Sequence, residues 1–196
     1  MYIIADVPSN VSEELDKVIY AKDLKSANDD LAGHMQGEFD ISHAKKILYP
    51  FLLQSAVAHK DKYPEFFRRA HSTVNFKSKT LDIYSLWVNF QYKYDFNPIH
   101  IHDGLYSFVI WHKIPFDIEN EKARYPKTPD NEQRAGYFQF FYSGHEGQVL
   151  TEDIPADKKY EGKMAFFPAN LNHCVYPFYT SDEPRITISG NLGFAI

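Results

Sequence analysis

The chain has 196 residues, with 21 Lys and Arg against 26 Asp and Glu for a formal net charge of −5 at pH 7. This length reads as one domain, able to bury roughly 70% of the surface its unfolded form exposes without metal staples or disulfides. The single cysteine, Cys174, excludes an internal disulfide and any multi-cysteine zinc or iron–sulfur centre, and the mild acidity argues against a broad face for nucleic acid.

The N-terminal stretch MYIIADVPSN has no basic leader ahead of an apolar run, and no segment approaches the ~20 apolar residues of a membrane span. The expectation is a soluble, unprocessed, cytoplasmic protein. From Asn10 to about Leu24, Val11, Leu15, Val18 and Ile19 fall at helical spacing behind Ser9 or Asn10 as cap. A second helical stripe comprises Ala44, Ile47, Leu48, Phe51, Leu52 and Ala56, with Ser42 or Asp40 as cap and Pro50 as a kink or break. Two helices therefore precede the sheet. Phe, Tyr and Trp number 16, 14 and 2 and concentrate after residue 60, which points to a strand-built second half.

After about residue 72 the apolar period becomes two. In Leu81 to Phe90 the odd residues Ile83, Ser85, Trp87 and Asn89 share one face and the even residues Tyr84, Leu86, Val88 and Phe90 the other. Further strands are expected at Leu105 to His112, Gly136 to Tyr142, Lys163 to Phe167, Asn172 to Tyr176 and Arg185 to Leu192. The polar stretch Asp117 to Gln133, with Pro126 and Pro129, reads as a long loop over one mouth that selects the substrate. The predicted class is mainly β with N-terminal helices, a helix-backed sandwich or barrel. As one domain over residues 1–196, it divides into a helical support at 1–72 and a β core at 73–196.

The chemistry lies in two contexts among nine histidines. In Asn97-Pro98-Ile99-His100-Ile101-His102-Asp103-Gly104, positions i and i+2 of an extended chain project from one face, so His100 and His102 can address one ion. His173 completes a facial set of three ligands, which leaves the opposite face of an octahedral ion open. Arg185 and Thr187, two apart on one strand, can hold a carboxylate with a guanidinium fork and a hydroxyl. Taken singly, these residues have plain structural readings: surface histidines, a core histidine bonded to a carbonyl, and an Arg185 paired with Asp182 or Glu183. His112 and His145 read as structural or substrate-facing, and Cys174 should point away from the metal.

At Trp87-Val88-Asn89-Phe90, Asn97 to Gly104, Ser107-Phe108-Val109-Ile110, Phe167-Pro168 to His173 and Pro184 to Asn191, the sequence resembles the iron(II)- and 2-oxoglutarate-dependent oxygenases. It is most similar to a prolyl-hydroxylase-like branch from tailed phages and marine bacteria, whose phage members share an N-terminal signature like Asp30-Leu31-Ala32-Gly33-His34. The resemblance implies a double-stranded β-helix, a jelly-roll and cupin relative, with iron at its mouth. It implies iron ligation by His100 and His173 and a grip by Arg185 and Thr187 on the distal carboxylate of 2-oxoglutarate. Ser107 and Asn89 would line the cosubstrate pocket. Most of the superfamily has His-x-Asp at the first site, whereas here His102 occupies i+2 and Asp103 i+3. Three arrangements stay open: an all-histidine set of His100, His102 and His173; a bulge that turns Asp103 inward; or two histidines alone, as in the aspartyl β-hydroxylase type.

The expected activity is oxidative decarboxylation of 2-oxoglutarate by iron(II) and O₂, coupled to hydroxylation of a C–H bond in a peptidyl prolyl or other side chain, or in a small metabolite or a nucleobase. Two alternatives stand beside it. One is a cupin-like all-histidine metalloenzyme that does not use 2-oxoglutarate. The other is a non-catalytic structural or partner-binding jelly roll of a virus particle, with its histidines at an interface. An oxygenase of viral origin would act in the host cytoplasm.

Overall fold

A computed structural model describes residues 1–27, 33–35, 37–73, 80–129 and 132–194, with 70–73 as backbone only. The elements run β1 (Ile3–Asp6), α1 (Ser9–Ile19), β2 (Lys25–Ser26), β3 (Gly37–Asp40), α2 (Lys45–Lys62), α3 (Pro64–Thr73), β4 (Leu81–Gln91), β5 (Asn97–His100) and β6 (Tyr106–Lys113). They continue with α4 (Ile118–Ala123), β7 (Phe138–Ser143), β8 (Val149–Ile154), β9 (Lys163–Pro168), β10 (His173–Val175) and β11 (Arg185–Phe194). Residues 30–32 of the N-terminal signature lie outside the described residues.

Two antiparallel sheets form, one in the order β1-β9-β6-β11-β4-β3-β2 and the other β5-β10-β7-β8. One face of the larger sheet meets the smaller sheet, where Val109, Trp111 and Phe167 pack against Phe138, Phe140 and Ile154. The other face meets the helices, where Val88, Phe108, Phe166 and Ile188 pack against Leu15, Leu48 and Leu52. A sheet covered on both faces explains why β6 and β9 are apolar almost throughout rather than alternating. This is the helix-backed jelly roll, or double-stranded β-helix, expected from the sequence. None of the helices among the described residues is long and apolar enough to cross a membrane.

Several boundaries differ from the sequence reading. Helix α1 ends at Ile19 because the Ala21 amide closes a tight turn on the Val18 carbonyl at 3.1 Å. Its N-cap is Pro8, without a side-chain cap bond, and Ser9 lies inside the helix. Helix α2 continues past Pro50 rather than ending there; the proline forfeits one backbone bond, and the helix is held by the face it buries against the sheet. Asp40 accepts from the Ser42 amide at 3.3 Å in a local turn, and neither residue caps α2, whose N-cap is Ala44. The segment 1–72 is not purely helical support, since β1 pairs with β9 and β3 with β4 inside the larger sheet. Helix α3 and strands β1, β2, β3 and β8 carry too short or too exposed an apolar pattern to read from sequence.

One departure controls the site. The strict alternation expected along β4 breaks at Tyr84, because Asn191 pairs with Ser85 while Leu192 pairs with Ile83. Tyr84 is the extra residue of a bulge, so Ile83 shares the helix-facing core with Leu86 and Val88 rather than a face with Trp87. Ser85, Trp87, Asn89 and Gln91 are thereby turned toward the smaller sheet. The freed Tyr84 hydroxyl donates to the Asp103 carbonyl, beside Gly104 at φ 99°. A Cβ at Gly104 would strike that hydroxyl and lie 2.8 Å from the Leu192 carbonyl, on top of the left-handed strain. Gly104→Ala is expected to cost about 1–3 kcal/mol of stability, read as a lower urea midpoint, and to weaken metal binding by shifting the segment that carries His102.

Candidate metal centre and its two cavities

Strand β5 is an edge strand of the smaller sheet, which is why Pro98 is tolerated within it. Its last residue, His100, pairs directly across from His173 on β10. His102 follows the strand, held by a 2.8 Å bond from its amide to the Ala169 carbonyl. The His100 and His173 ring centroids are 4.2 Å apart, and His102 lies 4.9 and 5.1 Å from them. One ring nitrogen from each lies within 4.8 Å of the other two.

The tautomers of two rings follow from their partners. His100 Nδ1 lies 2.7 Å from the Pro98 carbonyl and His173 Nδ1 2.8 Å from the Leu171 carbonyl. A carbonyl only accepts, so each Nδ1 carries the proton and each Nε2 presents a lone pair. His173 is buried and stacked on Phe138 at 5.3 Å. Burial, reinforced by its histidine neighbours, holds its pKa well below the ordinary value. Burial lowers His100 as well, and burial beside His100 brings His102 down to about 4. All three are therefore neutral near pH 7, the state a ligand requires. Asp103 is exposed and outside the cluster.

Arg185 opens β11 and is only 1% exposed. The surface pairs considered for it do not form, since Asp182 pairs with Lys93 and Glu183 with Lys113. Its guanidinium instead meets neutral acceptors: Gln91 Oε1 at 3.0 Å from Nε and 2.5 Å from Nη2, the Gly136 carbonyl at 2.7 Å from Nη1, and the Tyr176 carbonyl at 3.2 Å from Nη2. Phe116 and Phe178 lie over it at 5.6 and 5.9 Å. This desolvation lowers its pKa to about 9, opposed by the charge of Glu121, so it remains a cation at neutral pH. Glu121 itself is buried on α4, accepting from the amides of Tyr179 and Thr180 at 2.9 Å each.

An inner cavity between the sheets is lined by the three histidines together with Asn89, Asn97, Gln91, Arg185 and Thr187. Thr187 Oγ1 accepts from Asn89 Nδ2 at 3.1 Å, while the buried Oδ1 atoms of Asn89 and Asn97 have no partner among the described residues. Ser107 does not line this cavity; its hydroxyl donates to Asn191 Oδ1 at 2.5 Å, and Asn191 lines a second, outer cleft. That outer cleft, about 420 Å³, is lined by Asp40, Tyr84, Ser85, Trp87, Asp103 and Asn191. Trp87, His100 and His102 border both spaces. Among the described residues, none from Asp117 to Gln133 lines either one, and the stretch is not a plain loop but carries α4. It packs beside the Arg185 end because Glu121 anchors Tyr179 and Thr180, so its expected place over the substrate mouth is corrected.

Sequence reasoning missed Gln91, one residue beyond the expected strand end, and Asn97, which sits inside the quoted motif. His112 is structural, 2.8 Å from Asp16 on α1. Cys174 is buried, lines neither cavity, and has its thiol pKa pushed up to about 11 by burial. His145 lies exposed in the turn between β7 and β8.

The structure is thus a jelly roll in which three converging histidines, able to hold a metal ion, share a cavity with a buried guanidinium. Residues 85–191 match the family described as "Putative 2OG-Fe(II) oxygenase", and the chain belongs to this family. Its cofactors are iron(II), 2-oxoglutarate and O₂. A solved Pseudomonas putida prolyl-4-hydroxylase shares the fold, with a TM-score of 0.58 and 12% identity, over 100% of this chain and 93% of that one. A Shewanella oneidensis protein matches more weakly, with a TM-score of 0.31 and 10% identity over 62% of this chain and 66% of that one. None of the curated proteins compared matches.

The lowered histidine pKa values set a pH dependence for the metal-free protein. His59, His100, His102 and His173 are all depressed by burial, so the unfolded chain takes up protons first as pH falls below about 6.5. Their stability contribution is complete above that pH and lost as pH falls through the folded values, for His102 down to about 4. The urea midpoint should drop between pH 7.5 and 5, and His173→Gln should flatten that drop.

Proposed function

We propose that the protein is a hydroxylase of this family in which His100, His102 and His173 hold iron through their outward-facing nitrogens, Nε2 in His100 and His173, and Arg185 with Thr187 receives the distal carboxylate of 2-oxoglutarate. The observation that carries the reading is the guanidinium, buried in the same cavity as the histidines without a carboxylate partner among the described residues. A buried cation met only by neutral oxygens is matched by an anionic ligand, which returns the electrostatic stabilisation lost on desolvation. The three neutral imidazoles fit iron(II), and His102 rather than the exposed Asp103 completes the set.

Bound iron(II) with 2-oxoglutarate and O₂ supplies the oxidising power for C–H hydroxylation. The chain's own residues do the rest. Pro98 and Leu171 fix the ligating tautomers of His100 and His173 through their carbonyls. Arg185 and Thr187 orient the cosubstrate along the inner cavity, and Trp111, Phe138 and Phe167 exclude water from it. The C–H donor enters from the outer cleft, beside His100, His102 and Trp87. A peptide side chain is the proposed substrate, with the prolyl residue named for the Pseudomonas putida structure as the first to try.

Anaerobic titration of the purified protein with iron(II) and then 2-oxoglutarate should yield the weak visible charge-transfer band of a chelated 2-oxoacid. Arg185→Ala should raise the 2-oxoglutarate concentration needed by roughly a hundredfold, the scale of a buried charge pair. His102→Ala should abolish iron binding and Asp103→Ala should spare it. Iron binding without the band would favour the cupin-like alternative. Failure to bind iron at all would make the histidines structural.

A further inference from the structure

Arg185 differs from an ordinary buried arginine in what surrounds it. Gln91, 3% exposed and directly opposite Arg185 in the β4–β11 register, accepts two of its hydrogen bonds on one oxygen, from Nε at 3.0 Å and from Nη2 at 2.5 Å. The amide is not free to flip, because Gln91 Nε2 donates to the Asp95 carbonyl at 2.6 Å, which fixes Oε1 toward the guanidinium. The other two acceptors are backbone carbonyls, of Gly136 and Tyr176. Together these four bonds use four of the five guanidinium hydrogens and leave one on Nη1. Glu121, the acidic group whose charge reaches Arg185, spends its oxygens on the Tyr179 and Thr180 amides and the Thr180 hydroxyl.

A glutamate has the same shape as glutamine and would accept the same two bonds, yet it would cancel the charge, at the cost of the donation to the Asp95 carbonyl. We propose that Gln91 is the positioning residue that sets cosubstrate specificity: it holds the guanidinium plane with a neutral oxygen, so that the positive charge stays available to select a dicarboxylate. The inference rests on the role given to Arg185 under Proposed function, and it concerns how that charge is kept uncompensated. Gln91 touches Arg185 rather than the reacting atoms, and its effect is on discrimination between ligands.

The test compares 2-oxoglutarate with 2-oxopentanoate, which has a methyl group where 2-oxoglutarate has its distal carboxylate. Dissociation constants are measured by calorimetry on the full chain loaded with manganese(II), so the readout is independent of turnover. The wild-type protein should prefer the dicarboxylate by about a hundredfold. Gln91→Glu should cut that preference at least tenfold while leaving 2-oxopentanoate and manganese binding within about twofold, since the carboxylate already neutralises the guanidinium. General damage to the pocket would weaken both ligands together and would overturn the inference, as would an unchanged preference in the variant. If Gln91→Glu does not fold, Gln91→Asn retracts the neutral acceptor by one methylene and should weaken the dicarboxylate several times more than the monocarboxylate; equal weakening overturns the proposal. A wild-type protein that binds both ligands alike, or neither, overturns the Arg185 reading itself, which separates that failure from the failure of Gln91.

Discussion

Arg185 carries a positive charge into the space between two sheets, where water does not solvate it and no carboxylate among the described residues pairs with it. Left alone, a buried guanidinium would be strongly destabilising. Much of the surrounding structure answers to that constraint. Strand β4 brings Gln91 across from it, the turn before β7 offers the Gly136 carbonyl, and the chain after β10 offers that of Tyr176. Phe116 and Phe178 cover the plane, and Glu121 on α4 ties down the segment leading into β11. The protein orients the charge and keeps water from it without consuming it, which is the arrangement the proposed cosubstrate site requires.

The histidine cluster rests on a different kind of support. Its members come from the end of an edge strand, the coil just after it and a three-residue strand opposite. Such short elements hold position poorly alone, and here local bonds do the holding. The Ala169 carbonyl fixes the backbone at His102, and carbonyls two residues upstream fix the rings of His100 and His173. The larger sheet provides the rigid wall behind them, since it is packed on both faces, by helices on one and by the smaller sheet on the other.

Much of this was legible in the sequence, and the limits are physical. Period-two patterning located β4, and short apolar runs bounded by turn residues located β6, β7, β9, β10 and β11, within a few residues. His100 and His102 were legible from their spacing, and the pairing of Arg185 with Thr187 from theirs. The bulge at Tyr84 was not legible, because it exists only in the pairing of two strands far apart in the chain. Gln91 and Asn97 were missed because amides have no spacing rule comparable to that of metal ligands. Ser107 was assigned to the cosubstrate pocket by resemblance, whereas its hydroxyl serves Asn191 toward the outer cleft.

The Tyr84 bulge also bears on how this chain can change over time. Loss of Tyr84 itself would close the bulge and leave both halves of β4 on their present faces, whereas loss or gain of a single residue between Ser85 and Gln91 would invert the part of the strand that follows. Trp87, Asn89 and Gln91 would turn toward the helices, and Leu86, Val88 and Phe90 would fill the space beside Arg185. Substitutions along this strand alter one contact at a time, whereas a one-codon insertion or deletion beyond the bulge displaces the cavity wall and the hydrophobic core together. The length of β4 after Tyr84 should therefore vary far less among descendants of this chain than the identity of its residues.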